Sequence, residues 1–308
     1  MSVSIIQRGN TLTETLITLQ YYGQLCKSKV VMVMLSASLV GMLITPNHYH
    51  NIPTMLAGLL GIGMCACAGA ACNHLLESNI DQKMTRTAKR PLANQKISSL
   101  SVCIFGCILL SLGVLILYNY TNLLTTKLTL ATTIGYAYIY TRWLKPATPQ
   151  NIVIGGLSGA MPPLLGWTSL TNSISAEPLL LVLIIFTWTP AHFWPLAIHN
   201  INDYQKAQLP MLPNTHGIAF TKVAILAYAY LTSAVSLLPF CIGSQSYFYL
   251  MGTVVLNIYW LYLSHKLQRN TQIAMQVFSF SIKYIMGLFC LILLDHTIVS
   301  YHAYFSFF

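Results

Sequence analysis

Long apolar stretches alternate with short polar stretches along almost the whole chain. A run of roughly 20 apolar residues is long enough to cross a bilayer as a helix. The pattern gives nine such runs: 30–46, 52–72, 99–118, 121–140, 151–169, 178–198, 218–241, 246–264 and 279–299. It also allows a count of eight or ten. The pattern therefore predicts an all-α polytopic membrane protein, a bundle of about nine transmembrane helices. Residues 1–29 are assigned to a cytoplasmic N-terminal segment and 30–308 to a single transmembrane domain.

The composition and the basic residues support this topology. Hydrophobic residues make up 55% of the chain and charged residues only 7%, which is unlike a soluble domain. With a cytoplasmic N-terminus, 15 of the 16 Lys and Arg fall in inside loops, and Lys127 is the exception. Nine helices fit better than eight, because an error in the middle would reverse this alternation. The net charge of +10 thus reflects topology and argues against a nucleic acid partner.

The N-terminal residues and the cysteines suggest a cellular location. The first 25 residues lack the charged start, apolar middle and small-residue cleavage site of a secretory signal, so we expect a multi-pass protein of a bacterial inner membrane. The eight cysteines lie in or beside apolar runs and predict no disulfide framework. Cys65, Cys67 and Cys72 leave a soft-metal site open, although small residues also serve close helix packing.

Acidic residues are so rare that their positions are informative. Only six Asp or Glu occur in 308 residues. Two of them, Glu77 and Asp81, follow Asn73 at intervals of four, after the second apolar run. Steps of four residues place the three side chains on one helix face. An oxygen-rich face of this kind suits a hard cation such as Mg²⁺.

Basic residues follow this acidic face at once, since Lys83, Arg86, Lys89 and Arg90 come within nine residues of Asp81. Acids followed by bases are typical of a site for a metal-bound polyanion, where Mg²⁺ joins carboxylates to phosphates and the cations neutralise the remaining charge. The alternative is a solvated inside loop whose acids merely balance its bases. This loop alone does not distinguish the two.

A second acid and base end the sixth apolar run, where Asp203 is followed by Lys206. The second and sixth predicted helices end on the same side of the membrane. Facing acidic sites on two helix ends could hold one or two Mg²⁺ ions between them. We therefore expect a site at the cytoplasmic face.

Five blocks of sequence occur together in one order. They are Asn73-x-x-x-Glu77-x-x-x-Asp81, Lys83-Met84-x-Arg86-Thr87-x-x-Arg90-Pro91, Asn151-Ile-Val-Ile-Gly-Gly156 with Gly159-Ala-Met-Pro-Pro-Leu-Leu-Gly-Trp167, Pro190-x-His192-Phe193-Trp194, and Asp203-Tyr204 with Pro210-Met211-Leu212-Pro213. From about Lys27 to the last helix, the chain resembles the protoheme IX farnesyltransferases (heme O synthases) of the intramembrane aromatic prenyltransferase superfamily. The acidic motif alone is typical of the superfamily, whereas the last two blocks are typical of the heme branch.

The chain departs from the family pattern at several positions. Glu77 stands where Asp is frequent, and the longer carboxylate can still bind a metal. The other departures are Ser28 for Pro, Asn79 for Asp, Lys89 for Asn and Asn200 for Arg. The Asn200 replacement removes one phosphate contact or leaves it to Lys206. None of these changes removes a metal ligand.

The resemblance implies transfer of a farnesyl group from farnesyl diphosphate to a vinyl group of heme b, with addition of water, to give heme O. The implied metal-binding and catalytic residues, for Mg²⁺, are Asn73, Glu77, Asp81 and Asp203. The implied diphosphate contacts are Lys83, Arg86, Arg90, Arg142, Lys145 and Lys206. The implied heme-binding residues are His192 and His199. The family also implies association with heme A synthase or cytochrome oxidase assembly.

His192 is the most informative histidine, because an ionisable side chain inside an apolar helix usually faces the interior and often has a function. The alternative is a hydrogen-bonded interior histidine between aromatic neighbours. Three aromatic residues are expected to serve packing or an interfacial belt, with a heme platform as the alternative: Trp188, Phe193 and Trp194. A set of ionisable residues on the far side is expected to touch only water and lipid headgroups: His48, His50, Glu177, Asp295, His296 and His302.

Two other functions are compatible with parts of the pattern. A prenyltransferase for a quinone precursor such as 4-hydroxybenzoate should carry a second motif with two Asp four residues apart, and here only Asp203 is present near residue 200. An ion-coupled transporter should carry its acids near the midplane in both halves, whereas these acids cluster at one face.

Overall fold

The computed structural model describes residues 17–305, and the surroundings of side chains up to residue 298. All regular elements in this part of the chain are helical, which confirms the predicted all-α fold. Residues 1–16 of the predicted N-terminal segment lie outside the described residues. The α-helices are α1 (Ile17–Leu25), α2 (Ser28–Leu43), α3 (Ile52–Asp81), α4 (Ser99–Tyr120), α5 (Leu123–Ile134), α6 (Lys145–Ala147), α7 (Asn151–Ala160), α8 (Pro162–Thr171), α9 (Ala176–His199), α10 (Ile201–Lys206), α11 (Leu212–Thr215), α12 (Gly217–Val235), α13 (Leu238–Cys241), α14 (Tyr247–Arg269) and α15 (Ala274–Phe305). A π-helix, Gly135–Leu144, joins α5 to α6.

Helical structure lies at each of the nine predicted runs, but the number of membrane spans stays a prediction. Within the described part of the chain, five helices are long and apolar enough to cross a membrane, and α1 with α2, bent by 50°, would make a sixth. The run at 151–169 is divided between α7 and α8. Pro162 is the first residue of α8. Proline has no backbone N–H, but the first residue of a helix does not donate a hydrogen bond within the helix, so none is lost.

The packing and the surface both fit a membrane bundle. Large apolar side chains are exposed along α4 at steps of three or four residues: Leu100, Ile104, Ile108, Leu112 and Leu115. In a bilayer such a stripe contacts lipid. Inside the bundle α2 lies so close to α8 that a Cβ placed on Gly166 would sit 1.9 Å from the Ser38 carbonyl oxygen. Small residues therefore set the distance between these two helices.

Close packing between α3 and α4 also explains the cysteine at position 65. The Sγ atom of Cys65 lies 2.8 Å from where a Cβ on Gly113 of α4 would be. All eight cysteines are free, and no group of three or more His, Cys, Asp or Glu side chains among the described residues is arranged to hold a metal ion. A soft-metal site at Cys65, Cys67 and Cys72 is therefore not formed, and close packing accounts for Cys65.

The second helix is longer than the predicted run. The apolar stretch ends near residue 72, but α3 continues to Asp81. Leaving an apolar environment does not end a helix, because its hydrogen bonds are internal. The polar motif therefore forms the last turns of a rigid 30-residue helix.

Candidate active site

The polar face of α3 is buried. Asn73, Glu77 and Asp81 are 2%, 4% and 3% exposed, respectively, and their spacing of four places them in one row along the helix. Buried polar groups without partners are strongly destabilising, so each of the three needs a compensating contact. The chain supplies all three from other segments.

Each member of the row is paired with a different basic side chain. The Lys27 ammonium donates to the amide oxygen of Asn73. The Lys145 Nζ atom lies 2.5 Å from Glu77 Oε1.

The third pair is bidentate at the carboxylate. Arg90 Nη1 donates to both oxygens of Asp81, at 2.9 and 2.7 Å. The Asp81 carbonyl also accepts a hydrogen bond from Thr87 Oγ1 at 3.0 Å, which holds the following loop against the helix end. Each of the three buried side chains is therefore paired with one cation.

Lys27 contacts the same buried row, although it is not among the site residues predicted from the sequence. It was assigned only to topology, as one of the basic residues before the first predicted span. Its backbone adopts a left-handed conformation, with φ 48° and ψ 49°, at the bend between α1 and α2. Non-glycine residues seldom take this conformation, which often marks a functional site. Here it places the ammonium between Asn73 and the Tyr136 hydroxyl, 3.4 Å away.

The π-helix supplies further contacts to the same face. Thr141 Oγ1 donates to the Tyr136 carbonyl, five residues earlier, at 2.9 Å, and accepts from Asn73 Nδ2 at 3.2 Å. A π-helical stretch widens the turn and often occurs at functional sites. Thr141 and Lys145 thus approach α3 from an irregular segment that apolar periodicity does not predict.

Asp203 meets the loop that follows α3. Thr85 Oγ1 donates to Asp203 Oδ1 at 3.1 Å, and the Arg86 N–H donates to Oδ2 at 3.4 Å. Burial raises the pKa of the neighbouring Tyr204, an effect that the Arg86 guanidinium opposes. The ends of the second and sixth predicted spans are therefore neighbours.

Other predicted site residues are less engaged. Lys83, Arg142 and Lys206 are exposed, and across the described side chains none of them forms an ion pair. The three acids nearest the site also do not converge on one point as a carboxylate cluster. Glu77 is paired with Lys145, Asp81 with Arg90, and Asp203 with the loop.

The two predicted heme-binding histidines have different surroundings. His192 is half-buried, and its ring stacks between Trp188 and Phe278, with ring centroids 4.1 and 4.6 Å away. His199 is exposed at the end of α9. The structure therefore gives His192 a fixed orientation and leaves His199 at the surface. Trp194 is buried in the core, as a packing residue should be.

Residues at the opposite end of the bundle differ in part from expectation. Asp295 is fully buried, and its carboxylate accepts the Ser246 N–H at 2.7 Å and the Tyr249 N–H at 3.3 Å at the start of α14. The prediction that it touches only water and headgroups was wrong, because this part of α15 packs against the start of α14. Glu177 and His296 line a cavity of about 380 Å³. His48 and His50 are exposed, and the His302 side chain lies outside the described part.

The donor atoms of the buried row fit a hard metal ion. Two carboxylates and one amide oxygen on a single rigid helix face match the preference of Mg²⁺ for oxygen. Mg²⁺ typically uses one or two protein carboxylates together with substrate phosphates, so a cluster of three acids is not required. The paired ammonium and guanidinium groups are suitable donors for phosphate oxygens.

Comparison with known proteins identifies the family. The model of the UbiA prenyltransferase family matches residues 34–294. The chain belongs to the UbiA prenyltransferase family. Among its relatives, protoheme IX farnesyltransferase 2 of Pseudoalteromonas atlantica is 50% identical over 277 residues, which cover 89% of this chain and 91% of the relative. The protoheme IX farnesyltransferase of Teredinibacter turnerae is 46% identical over 303 residues, covering 98% and 97%.

Solved structures share the UbiA fold. A structure described as digeranylgeranylglyceryl phosphate synthase aligns with a TM-score of 0.76 at 18% identity, covering 90% of this chain and 98% of that one. A UbiA homolog from Archaeoglobus fulgidus bound to GPP and Mg²⁺ aligns with a TM-score of 0.60 at 15% identity, covering 88% and 99%. The prediction of a prenyltransferase of the heme O synthase type is confirmed at the level of family and relatives.

Proposed function

We propose that this protein is a protoheme IX farnesyltransferase, which transfers farnesyl from farnesyl diphosphate to a vinyl group of heme b to give heme O. The observation that carries the proposal is identity of 46 to 50% to protoheme IX farnesyltransferases over most of both chains. The paired row on α3 supports the same chemistry, because it combines metal-binding oxygens with phosphate-binding cations.

The residues that would hold Mg²⁺ are Asn73, Glu77, Asp81 and Asp203. A bound Mg²⁺ ion stabilises the negative charge that develops on diphosphate as the carbon–oxygen bond breaks. Asp203 accepts hydrogen bonds from Thr85 Oγ1 and from the Arg86 N–H, so the loop after α3 holds this carboxylate beside Arg86.

The basic side chains would bind the diphosphate. Lys27, Arg90 and Lys145 already lie at the oxygen row, where each can turn from an acid or amide to a phosphate oxygen. Arg86 lies beside Asp203, and the exposed Lys83, Arg142 and Lys206 are further candidates. Departure of diphosphate leaves an allylic farnesyl cation, which the vinyl carbon attacks before water adds to the resulting cation.

The acceptor half of the reaction needs an apolar environment, because bulk water would capture the farnesyl cation first. We assign heme binding to His192, with His199 as a second candidate near the surface. Trp188 and Phe278 stack on the two faces of the His192 ring and give the imidazole an apolar surrounding.

We further propose a multi-pass protein of a bacterial inner membrane, with a cytoplasmic N-terminus and one prenyltransferase domain over residues 30–308. Farnesyl diphosphate and heme b are then its substrates. Association with heme A synthase or cytochrome oxidase assembly belongs to the same proposal. The basic inside loops support the orientation.

The proposal is tested with Asp81→Ala, and with Glu177→Gln as the control that removes an acid at the other end of the bundle. Each protein is supplied with farnesyl diphosphate, heme b and Mg²⁺ in membranes, and the hemes are separated by chromatography. We expect heme O from the wild type and the control, none without Mg²⁺, and at least a hundredfold less from Asp81→Ala at equal protein level. Normal heme O output from Asp81→Ala would refute the metal assignment. A parallel reaction supplies 4-hydroxybenzoate in place of heme b, and prenylated 4-hydroxybenzoate there without heme O in the first reaction would favour the quinone-precursor function.

A further inference from the structure

The His192 ring is held from both faces. It is nearly parallel to the Trp188 indole, at an interplanar angle of 12°, and to the Phe278 ring, at 22°. Trp188 lies one helical turn before His192 on α9, whereas Phe278 comes from α15. Two helices therefore fix the plane of the imidazole, so only the roles of its two nitrogens remain to be assigned.

The hydrogen bonds of Ser281 assign those roles. Its Oγ atom lies 2.5 Å from His192 Nδ1 and also donates to the Phe278 carbonyl at 2.6 Å. A hydroxyl group has one hydrogen to donate, and a carbonyl oxygen can only accept. If the hydroxyl hydrogen went to His192, two oxygen atoms would face each other at 2.6 Å with no hydrogen between them.

Both contacts are satisfied in one arrangement only. The Ser281 hydroxyl donates to Phe278, and His192 Nδ1–H donates to Ser281. The neutral imidazole then carries its proton on Nδ1 and a lone pair on Nε2. The Trp188 Nε1–H donates to the Ser281 carbonyl at 2.9 Å, which ties the stacked indole to the same turn of α15.

The Nε2 atom is available to a ligand. It has no hydrogen-bond partner among the described residues, and the half-buried His192 keeps part of its surface accessible. A histidine whose other nitrogen donates to a fixed acceptor is the usual arrangement of a metal-ligating imidazole, because that hydrogen bond selects the tautomer and orients the ring. Histidine nitrogen is also a common ligand of heme iron.

We propose that Nε2 of His192 binds the iron of the heme substrate and that Ser281 is the positioning residue that holds this nitrogen ready. The inference rests on the proposed function for the identity of the acceptor and deepens it by assigning the atom that contacts it. Binding at the iron anchors the porphyrin without chemistry at the metal. The same geometry selects His192 over His199, which is exposed and has no such partner among the described residues.

The experiment compares Ser281→Ala, Ser281→Thr and His192→Ala in purified, lipid-reconstituted full-length protein. Heme b is titrated into each, and ligation is read from the Soret band and the iron–histidine stretch of the ferrous form. We expect Ser281→Ala to weaken heme affinity about tenfold, as removal of such an outer partner typically does. Ser281→Thr keeps the hydroxyl and should bind as the wild type does. His192→Ala should lose the iron–histidine band and regain it with added imidazole.

Kinetics separate positioning from general damage. The KM for heme should rise in Ser281→Ala while the KM for farnesyl diphosphate stays unchanged. Wild-type affinity and an unchanged iron–histidine band in Ser281→Ala would overturn the role of Ser281. A retained band in His192→Ala would overturn the ligand assignment. If the wild type shows the band but makes no heme O, the proposed function fails while the ligand assignment stands.

Discussion

The Arg90–Asp81 pair offers the sharpest test of the buried row, because the neighbouring residue provides a matched control. Arg90→Met removes the guanidinium and keeps an extended apolar side chain. Lys89→Met makes the same change of charge one position earlier, at an exposed residue with no ion pair in the described structure. Any difference between the two variants therefore reflects the particular contacts of Arg90 and not the net charge of the loop.

The magnitude follows from the geometry of the pair. The nearest atoms are 2.7 Å apart, and the side chains of Arg90 and Asp81 are 23% and 4% exposed. Two unit charges about 4 Å apart attract each other by about 4 kcal/mol at an effective dielectric constant of about 20. Solvent reaches Arg90 and weakens the attraction, but the variant leaves the buried Asp81 carboxylate without its partner, so we expect a net loss of about 3 kcal/mol.

Two measurements check this expectation in lipid-reconstituted protein. The thermal unfolding midpoint of Arg90→Met should fall by several degrees, whereas that of Lys89→Met should match the wild type. If Arg90 also binds diphosphate, loss of a charged hydrogen bond worth about 1.5 to 3 kcal/mol should raise the KM for farnesyl diphosphate about 10- to 150-fold. Equal unfolding midpoints and equal KM values in the two variants would refute both the pairing energy and the diphosphate contact.

Two further predictions concern the scaffold. Asp295→Asn replaces one of the two acceptor oxygens that cap the start of α14 at Ser246 with an amide nitrogen. The free energy of unfolding should therefore fall by about 1 to 2 kcal/mol, with both KM values unchanged. A change in KM with normal stability would contradict a purely structural role. In Gly166→Ala the added methyl group meets the Ser38 carbonyl, so the free energy of unfolding should fall by about 1 to 3 kcal/mol or more, and the unfolding midpoint should fall with it. Gly159→Ala is the control, because a Cβ there has no atom within 4 Å, and equal stability of the two variants would show that α2 and α8 can move apart freely.

Much of the candidate site was predictable because its signals are local. Asn73, Glu77 and Asp81 share a face by helical spacing alone, and the scarcity of acids in an apolar chain predicts a function for this face. The burial of His192 also follows from its place inside an apolar run. Lys27 was missed because a basic residue before a membrane span is expected on grounds of topology, and that expectation hid its second role.

The pairings themselves were not predictable from local patterns. Lys27 lies 46 residues from Asn73, and Lys145 lies 68 residues from Glu77. Any of the nearby cations was an equally good partner for either position by charge alone. Ser281 lies 89 residues from His192 and belongs to no recognised motif, so its contact with the imidazole could not be predicted from the sequence.

The sequence by itself determined an all-α membrane protein with an oxygen-rich helix face and a family resemblance, because hydrophobicity and helical period act over one or two turns of chain. Only the tertiary structure decided which cation meets which acid, that Asp295 is buried, and which nitrogen of His192 is available. These depend on how closely helices approach and on left-handed or π-helical backbone at Lys27 and at Gly135–Leu144. Such contacts arise from the packing of distant segments, which no local pattern encodes.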